Sequence, residues 1–333
     1  MMSLGSEFSS SVIQGVGSFL PKKNVDNIEL SKRVDTSDEW ITSRTGIKAR
    51  RIAEKEQATS DLALEAARAA LADAGMRPED IDLVVVATIT PDMAFPSTAC
   101  LLQDKLGIPK VCCFDIEAAC SGFLYALDVA DGMLSSNRYK CALVVGAEKL
   151  SSIMDWQDRT TCVLFGDGAG AAVLTNKGDG LKILGFKSGA DGSNPKLLHQ
   201  PSGGSLEPAS QETLSGRGHF LKMNGREIFK SAVRVMERAA REILSEHGYK
   251  ESDVDHVIPH QANARIVESL SQRLDIPLEK FYCNLDKYGN TSAASIPIAL
   301  DEARRTSVVQ KGQLGLMVAF GAGLTWSAVL VRF

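Results

Sequence analysis

Nowhere in this 333-residue chain does an apolar run approach the ~20 residues that a membrane-spanning helix requires, so no membrane partner is expected. An excess of one charge is also missing. The 37 Lys and Arg nearly balance the 41 Asp and Glu, for a net charge of −4, which gives no reason to expect a nucleic-acid partner. Met1–Ser10 is polar and has no apolar signal core, so it reads as a short lead and not as a secretory signal. The seven cysteines are odd in number and contain no Cys-x-x-Cys pair. Of the five histidines only His256 and His260 stand close together, four residues apart, and no cysteine pair accompanies them at zinc-finger spacing. No structural zinc is expected, and reduced thiols in a cytoplasmic protein are. A dinucleotide cofactor is disfavoured too. Gly15-Val16-Gly17 follows a short strand but leads into Ser-Phe-Leu-Pro, and Gly166-Asp-Gly168-Ala-Gly170 leads into a strand-like run. Neither opens the helix whose N-terminus would hold a pyrophosphate.

What is present is length and an internal repeat. The chain is long for one simple core, so two domains or a duplicated fold are expected. Leu71-Ala-Asp-Ala-Gly75 leads through Asp80-Ile81-Asp82 into the apolar run Leu83–Ala87. Leu244-Ser-Glu-His-Gly248 leads through Asp253-Val254-Asp255 into His256–Pro259. One interval separates Gly75 from Gly248, Asp80 from Asp253 and Asp82 from Asp255. The runs Cys141–Val145 and Gly315–Phe320 also correspond, as do Ala171–Leu174 and Ser327–Leu330. Each half reads strand, helix, strand, helix, strand, strand, which predicts an α/β fold with mixed sheets between helices. The first half spans 11–175 and the second 176–333. The segment 59–74 carries an Ala/Leu face with Gly75 as its C-cap. Cys112, Cys113 and Cys141 lie in apolar runs and read as core.

Cys120 stands in Glu117-Ala118-Ala119-Cys120-Ser121-Gly122-Phe123, between the strand-like Val111–Ile116 and the helical Phe123–Leu134. At such a helix start, free N–H groups and the helix dipole favour a thiolate. A small buried hydrophobe is the alternative. His260 ends an apolar strand ahead of a helix over Ala264–Leu274, and reads as a core histidine or as a functional one. Asn290 suits the N-cap of the helix running to Arg304. If the halves pack about a pseudo-twofold axis, these three turns converge on one cleft. Phe320-Gly321-Ala322-Gly323-Leu324 is either a tight turn between core strands or a place where backbone amides approach a ligand oxygen. Arg226, Lys230, Arg234 and Arg238, with Arg241 nearby, form a basic stripe along a helix. It reads as a solvated face or as a surface for an acidic partner.

Several of these segments together resemble the β-ketoacyl-acyl-carrier-protein synthase III family, the initiating condensing enzymes of bacterial fatty acid synthesis. They are Thr36-Ser-Asp-Glu-Trp40-Ile with Arg44-Thr-Gly-Ile47, Ala118-Ala-Cys120-Ser-Gly122, Pro259-His-Gln-Ala-Asn263, Gly289-Asn-Thr-Ser-Ala-Ala294 and Gly321-Ala-Gly323-Leu-Thr-Trp326. The match runs from about Ile13 to Phe333. The resemblance implies a duplicated thiolase-like fold with layered helices and mixed five-stranded sheets in pseudo-twofold symmetry, usually as a homodimer. It implies Cys120, His260 and Asn290 as catalytic residues, and an oxyanion hole from the amides of Cys120 and Ala322. It further implies a CoA site at Trp40, Arg44 and Arg159, and substrate contacts at Phe229, Asn263 and Phe320. Phe95 would floor the partner's acyl pocket. Lys230, Arg234 and Arg265 would dock the acyl-carrier protein. No metal or redox cofactor is implied. The substrates would be acyl-CoA, with acetyl as the default, and malonyl-acyl-carrier protein.

Two features depart from the family pattern. Ala322 stands where many relatives have glycine, and the 202–215 loop is longer than in compact members. The alternatives are a related condensing enzyme of secondary metabolism and a Cys-His-Asn thioester hydrolase, whose Asn would orient the His as a base.

Overall fold

Nine strands form one mixed sheet in the computed structural model of the protein, which describes residues 11–333; the Met1–Ser10 lead lies outside them. Within this sheet the strands are β1 (Val12–Phe19), β2 (Leu83–Ala87), β3 (Cys112–Ile116), β4 (Cys141–Glu148), β5 (Gly168–Thr175), β6 (Leu181–Ala190), β7 (His256–Pro259), β8 (Leu314–Gly321) and β9 (Thr325–Arg332). Their order is β7-β8-β9-β6-β1-β5-β4-β2-β3. In the first half β2 runs parallel to β3 and β4, and β5 runs antiparallel to β4 and β1. The second half repeats this pattern. β7 is parallel to β8, and β9 is antiparallel to β8 and β6. The counterpart of β3 is only a parallel bridge between Val257 and Phe281. The two expected five-stranded sheets are therefore joined, because β1 pairs with β6 at Val12–Lys182 and Ile13–Leu181. One of the two edges is reduced to that bridge.

The helices that matter for the site are α1 (Asp38–Thr45), α2 (Thr59–Ala74), α3 (Thr98–Leu106), α4 (Gly122–Ser135), α5 (Gly225–Glu246), α6 (Ala264–Leu274) and α7 (Ser295–Arg305). β2 and β4 are buried along their whole length, as continuous apolar runs require when both faces are covered. Leu83, Val85 and Ala87 pack into a central layer with Phe123, Leu124 and Leu127 of α4 and Ile296, Ala299 and Leu300 of α7. Val84 and Val86 face outward, towards α2. α5 and α6 cover the second half from outside. Ile258, Met317 and Val329 of the second half join the central layer, so both halves enclose α4 and α7.

Gly15 and Gly17 sit inside β1 and serve packing. A Cβ on Gly15 would lie 2.4 Å from Ala74 N, and one on Gly17 2.2 Å from Ala70 N, so α2 rests directly on the strand. Cys112 and Cys113 depart from the core reading. They open the edge strand β3, where Cys112 is exposed and Cys113 half-buried. Cys141 is buried as expected. The 202–215 loop contains a short helix, Gln211–Ser215, capped by Ser210.

Candidate active site

The repeat places two similar turns at the centre. Ala119–Ser121 precedes α4 and Ser292–Ala294 precedes α7, each as a single tight turn. Ala119 and Ser292 both have positive φ, 45° and 49°, at equivalent places in the two turns. Both are left-handed positions that non-glycine residues rarely adopt, and clusters of such strain mark functional sites. β8 ends against the first turn. A Cβ on Gly321 would stand 2.8 Å from Cys120 N and 2.9 Å from Ala118 O, so only glycine lets the strand end come this close.

Cys120, His260 and Asn290 line one narrow cavity of about 110 Å³, together with Phe229, Asn263 and Phe320. Cys120 also lines a second, larger cavity of about 670 Å³, with Ala322, Ile89, Ile116, Leu150 and Leu198. The sulfur thus stands where a narrow approach meets a wider and largely apolar chamber. Asn290 does not cap α7; Ala294 holds that position. Its Oδ1 accepts the Ser292 N–H at 2.8 Å, and its backbone is fixed by bonds to Leu164 O and from Gly166 N. Because an N–H can only donate, this bond fixes the amide orientation and leaves Nδ2 as the donor. His260 is held through its own N–H to Val318 O of β8. Gln261 ties the next turn to the Asn284 and Leu285 amides.

Burial sets the charge states. It lowers the His260 pKa to about 4, so the imidazole is neutral at ordinary pH, and its buried Nδ1 has no hydrogen-bond partner among the described residues. The expectation of a thiolate favoured by the helix start meets a stronger opposing effect. Desolvation pushes the Cys120 thiol up to about 12; a nearby Ser292 lowers it, and the negative field of Glu148 raises it further. At neutral pH the sulfur is therefore a thiol.

Glu148 and Ser292 escaped the sequence reading. Glu148 ends β4 and is wholly buried. It accepts Thr90 Oγ1 at 2.6 Å, Thr88 Oγ1 at 3.2 Å and the Ile89 N–H at 3.2 Å. Burial raises its carboxyl to about 7 against these donors. The sequence signals available were an acid closing an otherwise apolar strand and, for Ser292, the repeat interval that maps it onto Ala119.

The other expected contacts lie further out. On α1, Trp40 has the Arg44 guanidinium 4.7 Å and the Arg159 guanidinium 5.6 Å from its ring centroid, and Arg159 also binds Asp35. Asn263 caps α6 and donates to Arg44 O, which joins this cluster to the narrow cavity. Arg265 donates to Ser43 O. Lys230 pairs with Glu227 on the exposed face of α5, whereas Arg234 has no ion pair among the described residues. Phe95 lines neither cavity. It is 85% exposed, although its neighbour Ala94 lines the larger one.

A duplicated α/β core, with a cysteine at one central helix start and a histidine and an asparagine from the other half facing it, defines the thiolase-like condensing class. Comparison with known proteins agrees. The family model for the C-terminal part of 3-oxoacyl-[acyl-carrier-protein] synthase III matches residues 244–333, and the companion synthase III model matches 114–192. The β-ketoacyl-[acyl-carrier-protein] synthase III of Caldanaerobacter subterraneus subsp. tengcongensis is 54% identical over 321 residues, which cover 96% of this chain and 97% of that protein. The crystal structure of 3-oxoacyl-[acyl-carrier-protein] synthase III from Aquifex aeolicus VF5 superposes with a TM-score of 0.89 at 52% identity, over 97% of this chain and 100% of that one. The priming β-ketosynthase of the R1128 polyketide pathway superposes at 0.90 with 36% identity, over 97% and 96%. The chain belongs to the β-ketoacyl-acyl-carrier-protein synthase III family.

Proposed function

We propose that this protein joins a short acyl group, acetyl by default, from acyl-CoA to malonyl-acyl-carrier protein with loss of CO2, and so starts fatty acid chains. Supporting this reading is the cavity that Cys120, His260 and Asn290 share. In the first half-reaction the Cys120 sulfur attacks the thioester carbonyl, with the Cys120 and Ala322 amides receiving the oxyanion, and CoA departs. In the second, malonyl thioester loses CO2. Neutral His260 and the Asn290 Nδ2 donate to the forming enolate oxygen, and the carbanion attacks the acyl-cysteine. Phe320 shields this step from water, and Phe229 and Asn263 line the approach. Trp40, Arg44 and Arg159 hold the CoA nucleotide. Lys230, Arg234 and Arg265 dock the acidic carrier protein. The exposed Phe95 floors the acyl pocket of a second copy in a cytoplasmic homodimer, and each copy is built from two halves, residues 11–175 and 176–333. Among the described residues no helix is long and apolar enough to cross a membrane.

Intact mass after mixing with acetyl-CoA alone should show one acetyl adduct, lost in Cys120→Ala. Malonyl-carrier protein should then discharge it with release of CO2 and a β-ketoacyl thioester. Steady CoA release that needs no malonyl-carrier protein would instead indicate a hydrolase. The 36% identity to a polyketide-priming enzyme keeps the second reading, a starter other than acetyl for secondary metabolism. A panel of acyl-CoA primers separates the two.

A further inference from the structure

The Ser292–Ala294 turn packs against β4, the strand that ends in the wholly buried Glu148, where a Cβ on Gly146 would stand 2.4 Å from Ala293 O, and against the Cys120 turn as well. Ser292 lines the same cavity as Cys120, its Oγ is buried with no hydrogen-bond partner among the described residues, and its side chain lowers the pKa of both the Cys120 thiol and the Glu148 carboxyl. Its backbone is pinned on one side by Asn290 Oδ1 and held at a φ of 49°, a left-handed conformation that persists in a non-glycine residue only where the surroundings enforce it. Thr90 Oγ1 accepts the Lys149 N–H and Thr88 Oγ1 accepts the Thr90 N–H, so both hydroxyl protons are free to point at Glu148. Glu148 therefore sits in a ring of donors built to receive a carboxylate. A purely structural acid would more simply be replaced by glutamine or an apolar residue, because an uncompensated buried carboxylate is costly.

We propose that Glu148, acting through the Ser292 hydroxyl, is the proton acceptor for Cys120 during acyl loading. The proposal rests on the loading role given to Cys120 above. As the Cys120 Sγ–C bond forms and the C–S bond to CoA breaks, the thiol proton passes to Ser292 Oγ and the Ser292 proton passes to Glu148. Glu148 then holds one proton, which returns along the same route to the departing CoA sulfur. Cysteine and acyl-CoA thus yield acyl-cysteine and CoA thiol, with nothing left over. Ser292 is a positioning and relay residue, and its place on the same turn as Asn290 keeps the relay in register with the enolate-binding amide.

The groups facing the Glu148 carboxyl make it readable by pH. The 88–90 loop brings hydroxyls and one amide, and the Ser292–Ala294 turn brings a hydroxyl. The Ala119–Ser121 turn brings the Cys120 thiol, the titratable group on which the Glu148 charge acts. The adjacent Lys149 turns its ammonium away to the carbonyls of Glu54, Lys55 and Gln57. Only the carboxylate form can accept the proton. Acyl loading should therefore rise with pH through about 7 in the wild-type protein.

The test is the rate of acetyl-Cys120 formation from acetyl-CoA, followed by rapid mixing and intact mass across pH. Glu148→Gln keeps the shape but cannot accept a proton. Ser292→Gly removes the hydroxyl at a φ that glycine tolerates and leaves the carboxylate in place. Loading should slow about 100-fold in each, within the span general-base catalysis supplies. The limb near neutral pH should vanish in Glu148→Gln and return in part in Glu148→Asp. Decarboxylation of malonyl thioester should change little, which a general loss of packing would not produce. Unchanged loading rates and pH profiles would overturn the relay. So would faster loading in Glu148→Gln, which would mean the carboxylate only disfavours the thiolate. Should Glu148→Gln fail to fold, Ser292→Gly decides alone. An absent acetyl adduct in the wild type would defeat the functional reading itself; a normal adduct with indifferent variants would defeat only the relay.

Discussion

Asn290 does two jobs with one side chain. Its Oδ1 holds the Ser292 amide, and in the proposed reaction its Nδ2 donates to the substrate. Asn290→Asp separates the two jobs, because a carboxylate still accepts from Ser292 but no longer donates. We expect Asp at this position to lower malonyl decarboxylation on the order of 100- to 1,000-fold, the loss seen when one such donor is removed, while acetylation of Cys120 survives. Equal loss in both half-reactions would remove Asn290 from the enolate. His260 predicts a pH signature. Burial lowers its folded pKa to about 4, so it stays a neutral donor well below its ordinary range. Decarboxylation should then be flat from about pH 5 to about pH 8, in contrast to the loading step. A limb near 6.5, the ordinary histidine value, would show that the site solvates the ring.

Elements place these side chains through close backbone approaches. Gly321 lets the end of β8 touch the Cys120 turn, and Gly146 of β4 lies against the other turn, where a Cβ would stand 2.4 Å from Ala293 O. Both contacts are backbone to backbone, so the neighbour cannot rotate away. Gly321→Ala should cost ~1–3 kcal/mol by overpacking. It should slow acylation more than the stability loss explains, since Cys120 N is the atom displaced. Denaturant unfolding beside the acylation rate checks this, and an unperturbed rate would separate Gly321 from the site. The helix limits of 59–74 and 264–274 were legible to the residue, because Ala/Leu periodicity and the Gly75 cap are local signals. The Gly15 and Gly17 contacts were not, because the partner backbone of α2 is distant in sequence.

At the scale of the whole molecule, the halves enclose α4 and α7, and α5 lines the narrow cavity with Ile228 and Phe229 while its basic stripe is exposed. Lys230 and Arg238 are partly balanced by Glu227 and Glu242, while Arg234 is not paired within the described residues. The exposed pairs add little to stability and leave the face net basic. Reversing charge at Lys230 and Arg265 should raise KM for the carrier protein, leave KM for acetyl-CoA unchanged, and weaken as salt is added. An unchanged carrier-protein KM would sink the docking assignment.

The repeat by itself determined the duplicated α/β architecture, since the same order of apolar runs and turn residues recurs in the second half. The motifs around Cys120, His260 and Asn290 marked the turns that matter. Only the tertiary structure decided the rest. It joined two sheets into one through β1 and β6 and moved Cys112 and Cys113 to an edge. It also set a buried acid against a buried thiol. Charge states belong with that second group. A thiol at a helix start reads as acidic from the chain alone, but how far water is excluded from it, and which carboxyl shares the same dry interior, are properties of packing between segments far apart in sequence.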